Sequence, residues 1–399
     1  MASGADPRVE SGEVWDTFAT QVAGLKELVL GPDVPDTPLH RAEGFRYLLR
    51  FLSAGIAMCI EHDDVDHPEI GTLIENRRSW GLDNPDTKYG FCRLAPDASY
   101  VLRGDPGTAT AMELQVNTGH FGDGDFAGWN ALSRLADADM VRQPDGSVVI
   151  HITPERPEGA ANWMATGPRA SYLHLREYFG DWATERPAVW SIERIGATYP
   201  AGPLTEEVLA TRMDLLGLWL TVGARCWWEL GKGLASGPPG PITPFRPPET
   251  ATGLGGQAYG MGAYACAEDE AVILEVTPPD ARYWSFSLAT WFWESADFAN
   301  RQCSLNHTQA HVDDDGVVRV VLAQRDPGVA NWIDAAGYER GTLAVRYLHT
   351  DAIPTVSYRT VPLADLAVAL PATTQWVTPA ERADAIRARR EALVHRNRR

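Results

Sequence analysis

The chain has 399 residues, is 44% hydrophobic and 22% charged, and carries 35 Lys+Arg against 53 Asp+Glu, a formal net charge of −18. Such average apolar and charged fractions exclude a disordered or fibrous chain, and the acidity makes nucleic-acid phosphate and anionic membrane poor partners. The 14 Trp, 28 Pro and 36 Gly favour turn-rich β structure with broad apolar surfaces over a helical bundle.

Two helices are expected first. Ser11 is placed to cap a segment with Val14, Phe18, Val22 and Leu25 on one stripe, and Thr37-Pro38 opens a second carrying Phe45, Leu48, Leu49, Leu52, Ile56 and Cys59. Between about 83 and 180 the pattern shortens to alternating runs, Ser99–Leu102, Ala111–Thr118, Ser147–Thr153 and Tyr172–Tyr178, punctuated by turns such as Pro144-Asp145-Gly146. A helix returns over 205–232 with Thr205 as its cap, a Pro/Gly-rich linker fills 237–253, and strands resume over roughly 262–360. Thr378-Pro379-Ala380-Glu381 is a capping box that opens an Arg-rich C-terminal helix. That helix suits docking on its own acidic body or forming a homo-oligomer. The five cysteines (Cys59, Cys92, Cys226, Cys266, Cys303) are scattered with no C-x-x-C pair, so reduced thiols are expected. No signal peptide or membrane-spanning stretch is read, which predicts a cytoplasmic protein without membrane insertion.

The order of residues in one half recurs in the other. Asp145-Gly146, Asn162-Trp163 and Arg176 are matched by Asp315-Gly316, Asn331-Trp332 and Arg346, with 31 positions from Asp to Arg in both. Upstream, Tyr100–Leu102 and Ala111–Val116 match Val272–Leu274 and Tyr283–Leu288. This predicts an α+β, mainly β fold: tandem duplicated β-sandwich or jelly-roll halves flanked by N-terminal, central and C-terminal helices. The expected layout is a helical layer over 1–80, a first sandwich half over 81–200, a connecting helix and linker over 201–255, a second half over 256–370, and the last helix over 371–399.

Those residues also carry a resemblance. Tyr283-Trp284-Ser285, the Asp-Gly turn, Asn331-Trp332 and Arg346-Tyr347 resemble Domain of Unknown Function 1214, and Asn84-Pro85-Asp86-Thr87-Lys88-Tyr89 resembles the N-P-x-D-T-x-Y signature of its companion, Domain of Unknown Function 1254. With Glu43–Tyr47 and Asp181-Trp182-x-x-Glu185, the whole is similar to a cytoplasmic actinobacterial-type subgroup. Companion-domain proteins are commonly exported, and here no export signal is read. The family has no known reaction, so the resemblance implies architecture alone.

Chemistry therefore has to be read from residue types. Asp86 and Tyr89 are expected at the rim of a pocket, as an acid/base and a polar handle, unless the Asp83–Thr87 turn only holds its own backbone. Glu113, with Gln115 and Asn117, alternates with Met112, Leu114 and Val116, so the polar row is either a wet face or the floor of a cavity with Glu113 as general acid. His120 and Asp125 lie on a Gly-rich loop equivalent to the one carrying Trp291, Trp293 and Glu294. Because a duplicated site usually survives in one copy, asymmetric residues such as His120, Asp125 and Glu294 are the catalytic choices, facing one pocket with Trp129, Trp284, Trp291 and Trp293 as its walls. Asn162, Asn331, Arg176 and Arg346, present in both halves, are read as structural, each Arg pairing with a local carboxylate. The run Asp63, Asp64, Asp66 after an apolar helix is the one place where Mg²⁺ is considered, with Asn130-x-x-Ser133-x-x-x-Asp137 as a second motif, as in isoprenoid diphosphate cyclases; the other reading is a solvated helix end. The leading expectation is cofactor-independent acid/base chemistry on a hydrophobic small molecule of isoprenoid, steroid or fatty-acyl type. The rivals are a carrier or sensor of such a ligand, the Mg²⁺-dependent cyclase, and an interaction scaffold.

Overall fold

A computed structural model describes residues 4–123, 128–249, 251 and 253–397. The alternating runs become strands in four sheets, and the N-terminal and central helices form one layer against them. In the first half the strands are β1 (Gly71–Ile74), β2 (Thr87–Arg93), β3 (Tyr100–Asp105), β4 (Ala111–Asn117), β5 (Ala131–Ala136), β6 (Val148–Thr153), β7 (Asn162–Ala165), β8 (Tyr172–Tyr178) and β9 (Val189–Arg194). In the second they are β10 (Gln257–Ala265), β11 (Glu270–Val276), β12 (Tyr283–Ala289), β13 (Ser304–Asn306), β14 (Val318–Ala323), β15 (Trp332–Asp334), β16 (Arg340–Leu348) and β17 (Ser357–Pro362).

The duplication is strand for strand. The first half pairs the sheets β1-β2-β8-β4-β5 and β7-β6-β3-β9; the second pairs β10-β16-β12-β13 and β15-β14-β11-β17. Removing the extra edge strand β1 leaves the same order twice. Register agrees as well: Arg176 lies between Tyr89 and Glu113, and Arg346 lies between Tyr259 and Ser285. The Asn residues do the same work in each copy. Asn162 Nδ2 donates to the Val141 and Val149 carbonyls while its Oδ1 accepts the Val141 N–H, and Asn331 repeats this with His311 and Arg319. Each ties the strand that begins the parallel pair (β6/β7, β14/β15) to the loop before it.

Parity decides which side chains meet. Met112, Leu114 and Val116 of β4 join Leu102, Ile150, Leu173 and Leu175 in the first sandwich interior. Trp284, Phe286 and Leu288 of β12 join Val272, Val320 and Val345 in the second. Each such side chain contributes about 1.5–3 kcal/mol by leaving water, and a one-residue slip would turn the whole set outward. The opposite faces of β4 and β12 are buried too. They are not wet: Tyr283 of β12 meets Asn84 and Tyr178 of the first half, and the linker at Gly253 and Gly255 covers Gln115 and Glu113 of β4.

The helical layer begins with α1 (Pro7–Ser11), α2 (Glu13–Gly24), α3 (Glu27–Leu30) and α4 (Pro38–Ile56), so four helices stand where two were expected. Ser11 ends α1 rather than capping α2, since Gly12 takes a left-handed conformation (φ 83°) and starts the next helix. Thr37 caps α4 as expected, accepting the His40 N–H. The central segment is α5 (Glu206–Leu218), capped by Thr205, then a π-turn at Trp219–Gly223 and α6 (Ala224–Ala235). Trp219 stacks on Phe51 at 4.0 Å between centroids and donates Nε1–H to the Phe51 carbonyl at 2.8 Å. That bond ties the central segment to α4. Among the described residues, no helix is long and apolar enough to cross a membrane, and all five cysteines are unpaired.

After the short α7 (Leu366–Ala369), α8 (Pro379–Asn397) lies on the chain's own body. The Thr378–Glu381 capping box forms in both directions. Arg382, Arg389 and Arg396, seven apart, are all buried. Arg382 pairs with Asp326, Arg389 donates to the Phe298 carbonyl, and Arg396 donates to the Pro85 carbonyl. Arg389 and Arg396 also lie over the Trp182 ring. The helix thus holds both halves, and its buried arginines are used within the chain.

Candidate functional site

The buried outer faces of β2/β8 and β10/β16 meet at the junction of the halves, and a cleft of about 330 Å³ opens there. Strand β8 supplies its floor. Tyr172, His174, Arg176 and Tyr178 alternate with Leu173 and Leu175, which point into the sandwich. His174, Arg176 and Tyr178 line the cleft, with Tyr89 beside them on β2. The second half contributes Arg346 and Tyr259, the counterparts of Arg176 and Tyr89, so the cleft has the two-fold character of the duplication. The walls are aromatic: Trp80, Phe121, Trp129, Trp227 and Trp293. Trp227 stacks with Trp129 and lies against Trp293, each at 5.6 Å between centroids.

The polar groups are few and unusually placed. His174 is 2% exposed, and neither of its ring nitrogens has a hydrogen-bond partner. Burial, helped by the positive Arg176 beside it, holds its pKa well below the ordinary imidazole value. Such a ring is neutral at working pH and can both donate and accept. Arg346 is buried, donating to Ser287 Oγ at 2.8 Å and the Leu82 carbonyl at 2.6 Å, and Arg176 donates to Gln115 Oε1 at 3.1 Å. The carboxylate pairing expected of both is not made. Asp83 also lines the cleft, but its Oδ1 takes Ser79 Oγ–H at 2.6 Å and the Ser295 N–H at 2.7 Å; burial raises its pKa, and Arg346 acts weakly against that. Two residues at the rim hold left-handed backbone conformations without being Gly, Leu82 (φ 53°) and Trp293 (φ 58°), joined by a Leu82 N–H to Trp293 carbonyl bond of 2.6 Å. Strain of this kind concentrates at ligand sites.

Of the residues chosen from sequence, Tyr89, Trp129 and Trp293 come together in the cleft. The others lie elsewhere. His120 is buried against Cys59, its Nδ1 accepting the Gly122 N–H at 3.1 Å, and burial pushes its pKa down to about 3. Glu294 is fully buried and pairs with Arg50 of α4 at 2.7 Å; burial lifts its pKa to about 7 against that Arg. These two loops turn toward the helical layer, so His120 and Glu294 do not share a pocket. Asp125 lies outside the described residues. Glu113 faces the linker, held by Arg134 at 2.7 Å and the Gly255 N–H. Asp86 is not at a rim: it is 0% exposed and accepts from Trp182 Nε1 (2.7 Å), Asn306 Nδ2 (2.9 Å) and Tyr283 OH (2.6 Å), a bolt between the halves. Trp284 belongs to the second sandwich interior, and Trp291 packs edge-on to His40 in the helical layer.

The acidic run follows the helical turn that ends at Glu61, and the Asp64 and Asp66 side chains stay about half exposed, as a solvated helix end would; the three carboxylates do not converge. Asp63 is held by Arg93 at 2.9 Å, Asp64 takes the Asp66 and His67 N–H groups, and Asp66 pairs with Arg194. The second motif sits on strand β5 and the turn after it, where Asp137 pairs with Arg282 at 2.5 Å. Among the described residues, no three His, Cys, Asp or Glu side chains gather as a metal would require. Sequence reasoning missed His174, Arg176 and Arg346. The signal for the first two was present in β8, where aromatic and charged residues alternate with Leu in a strand central to its sheet.

These features define a duplicated β-sandwich protein with an aromatic cleft at its internal junction. The model described as Protein of unknown function (DUF1214) matches residues 125–181 and 271–352, one segment in each half. An uncharacterized protein from Burkholderia cenocepacia has a similar crystal structure, with 28% identity and a TM-score of 0.82 over 90% of this chain and 99% of that one. A protein from Vibrio parahaemolyticus matches with 12% identity and a TM-score of 0.45 over 79% of this chain and 98% of its own. No protein of curated function matches.

Proposed function

We propose that the protein binds a hydrophobic small molecule in the junction cleft and moves a proton on it without a cofactor, His174 being the acid/base group. One observation carries this reading: a neutral, buried imidazole with both nitrogens unsatisfied lines an aromatic cavity. An unsatisfied buried polar group costs about 1–3 kcal/mol, and a ligand polar atom would recover it. A neutral imidazole offers one nitrogen to take a proton and one N–H to give; its lowered pKa makes it the weaker base and the better donor, and the indole walls exclude water from the transfer. Flat rings fit these walls better than a flexible acyl chain, because stacked indoles offer faces. The five unpaired cysteines suit the cytoplasmic location expected from sequence.

Native mass spectrometry of the protein equilibrated with a cell metabolite extract tests the binding, with Met261→Trp, which fills the cleft, as control. The expected result is an adduct retained by His174→Gln and lost by Met261→Trp. Chromatography of the captured compound after incubation separates the two classes. Conversion that falls about 10²–10⁴-fold in His174→Gln supports the enzyme, and capture without conversion by the wild type leaves the carrier.

A further inference from the structure

We infer that the cleft selects an organic anion, an oxyanion head on a flat hydrophobic body, clamped between Arg176 of one half and Arg346 of the other. The inference rests on the cleft being a ligand site and adds the charge of its ligand. Both guanidinium groups line the cavity, and among the described residues neither has a carboxylate within 4.0 Å. Elsewhere the chain neutralises several of its enclosed arginines, Arg50 with Glu294, Arg382 with Asp326, and Arg319 with Glu275, Asp313 and Asp315, while the half-buried Arg78 and Arg340 donate to backbone carbonyls. Arg389 and Arg396 also lack a carboxylate, but they lie on the Trp182 ring and donate to backbone carbonyls. Arg176 and Arg346 instead face open volume.

A buried charge is costly unless it is paired and hydrogen-bonded. Arg346, 3% exposed, uses two of its nitrogens on Ser287 and Leu82, which fixes the fork and leaves further N–H donors free. Arg176, half-buried, is held at one nitrogen by Gln115 Oε1 at 3.1 Å, and its other N–H donors remain free. Two forks held this way are preorganised for one oxyanion, and His174, between Tyr172 and Arg176 on β8, adds an unpartnered donor. The carboxylate of the cleft lining is Asp83, which is engaged by Ser79 and Ser295, so the two arginines leave the cleft an excess of positive charge. The overall charge of −18 opposes an anion at long range. That field is screened beyond about 8–10 Å at physiological salt, whereas the clamp acts at contact.

The test is calorimetric titration with 2-naphthoate and with its uncharged counterpart, 2-naphthalenemethanol, on wild type, Arg176→Met, Arg346→Met and Met261→Trp. The wild type should bind the carboxylate at least about tenfold tighter than the alcohol, the range for hydrogen bonds to charged groups. Arg176→Met should lose most of that preference while its affinity for the alcohol changes less than about threefold. Arg346 is the more buried, so Arg176→Met and the wild-type pair of ligands carry the test should Arg346→Met fail to fold. Equal affinity for both ligands in the wild type, with both lost in Met261→Trp, overturns the anion clamp and keeps the cleft. Binding that Met261→Trp leaves untouched overturns the cleft and the clamp together.

Discussion

Replacing His120 by Gln should change how stability responds to acid. The ring is 5% exposed, packed on Cys59, and burial pushes its pKa down to about 3 from an ordinary 6.5. For a base whose folded value is depressed, the unfolded chain holds more protons between those limits. Stability is then fully present above about pH 6.5 and is lost as pH falls below it. One unit is worth about 1.4 kcal/mol, so by about pH 5 the imidazole costs the wild type roughly 2 kcal/mol that His120→Gln does not incur. Gln can keep the Gly122 bond by offering its amide oxygen. Other buried groups titrate in this range, including Glu294 and Glu177, both lifted by burial to about 7. They act with the opposite sign, stabilising below their unfolded values and losing that contribution as pH rises through 7, and because they are present in both proteins they cancel in the difference. Urea unfolding of both proteins at about pH 7.5 and about pH 5 reads the gap directly. It should move by roughly 2 kcal/mol in favour of the variant on acidification; a gap that is the same at both pH values refutes a buried, neutral His120.

Asn162→Ala and Asn331→Ala should each cost about 1–3 kcal/mol in denaturant unfolding and should match each other, because each strands the same three backbone groups in its half. A large cost in one and none in the other would separate the halves energetically. Arg389→Met should speed proteolytic removal of α8 and lower stability by roughly 1.5–3 kcal/mol, the worth of hydrogen bonds from a charged group; unchanged cleavage kinetics would show that the helix is held by Arg382 and Arg396 alone.

The fold was largely readable because its signals are local and repeated. Asp-Gly turns, Asn-Trp pairs and a fixed span to Arg are short-range patterns, and duplication supplied an internal control on register. The parallel pairs β6/β7 and β14/β15 left no such mark, since a pairing across a loop depends on where Asn162 and Asn331 reach. The site was read poorly, for a physical reason. Catalytic residues were sought among those that differ between copies, which selected His120 and Glu294, and these pack on α4 and the turn after it, elements outside the duplicated unit. Arg176 and Arg346, which recur, were set aside as structural, and the recurrence of the chosen Tyr89 as Tyr259 was not used. When two copies of a sheet face each other, however, recurring residues converge on the junction, where one ligand can touch both. Trp284 was misplaced by composition: its parity with Phe286 and Leu288 already put it in the interior.

The contact of Arg396 with the Pro85 carbonyl spans 311 residues, which gives the molecule a schedule. At about 5–20 residues per second of synthesis, the chain around Pro85 leaves the ribosome roughly 15–60 s before the arginine that closes over it. Until residues 283 and 306 are made, the Asp86 carboxylate lacks Tyr283 and Asn306, and Trp182, once made, lacks its arginines to the end of the interval. The nascent first half must therefore stay soluble with a wet carboxylate and a bare indole side by side. The junction, and with it the cleft, is assembled last.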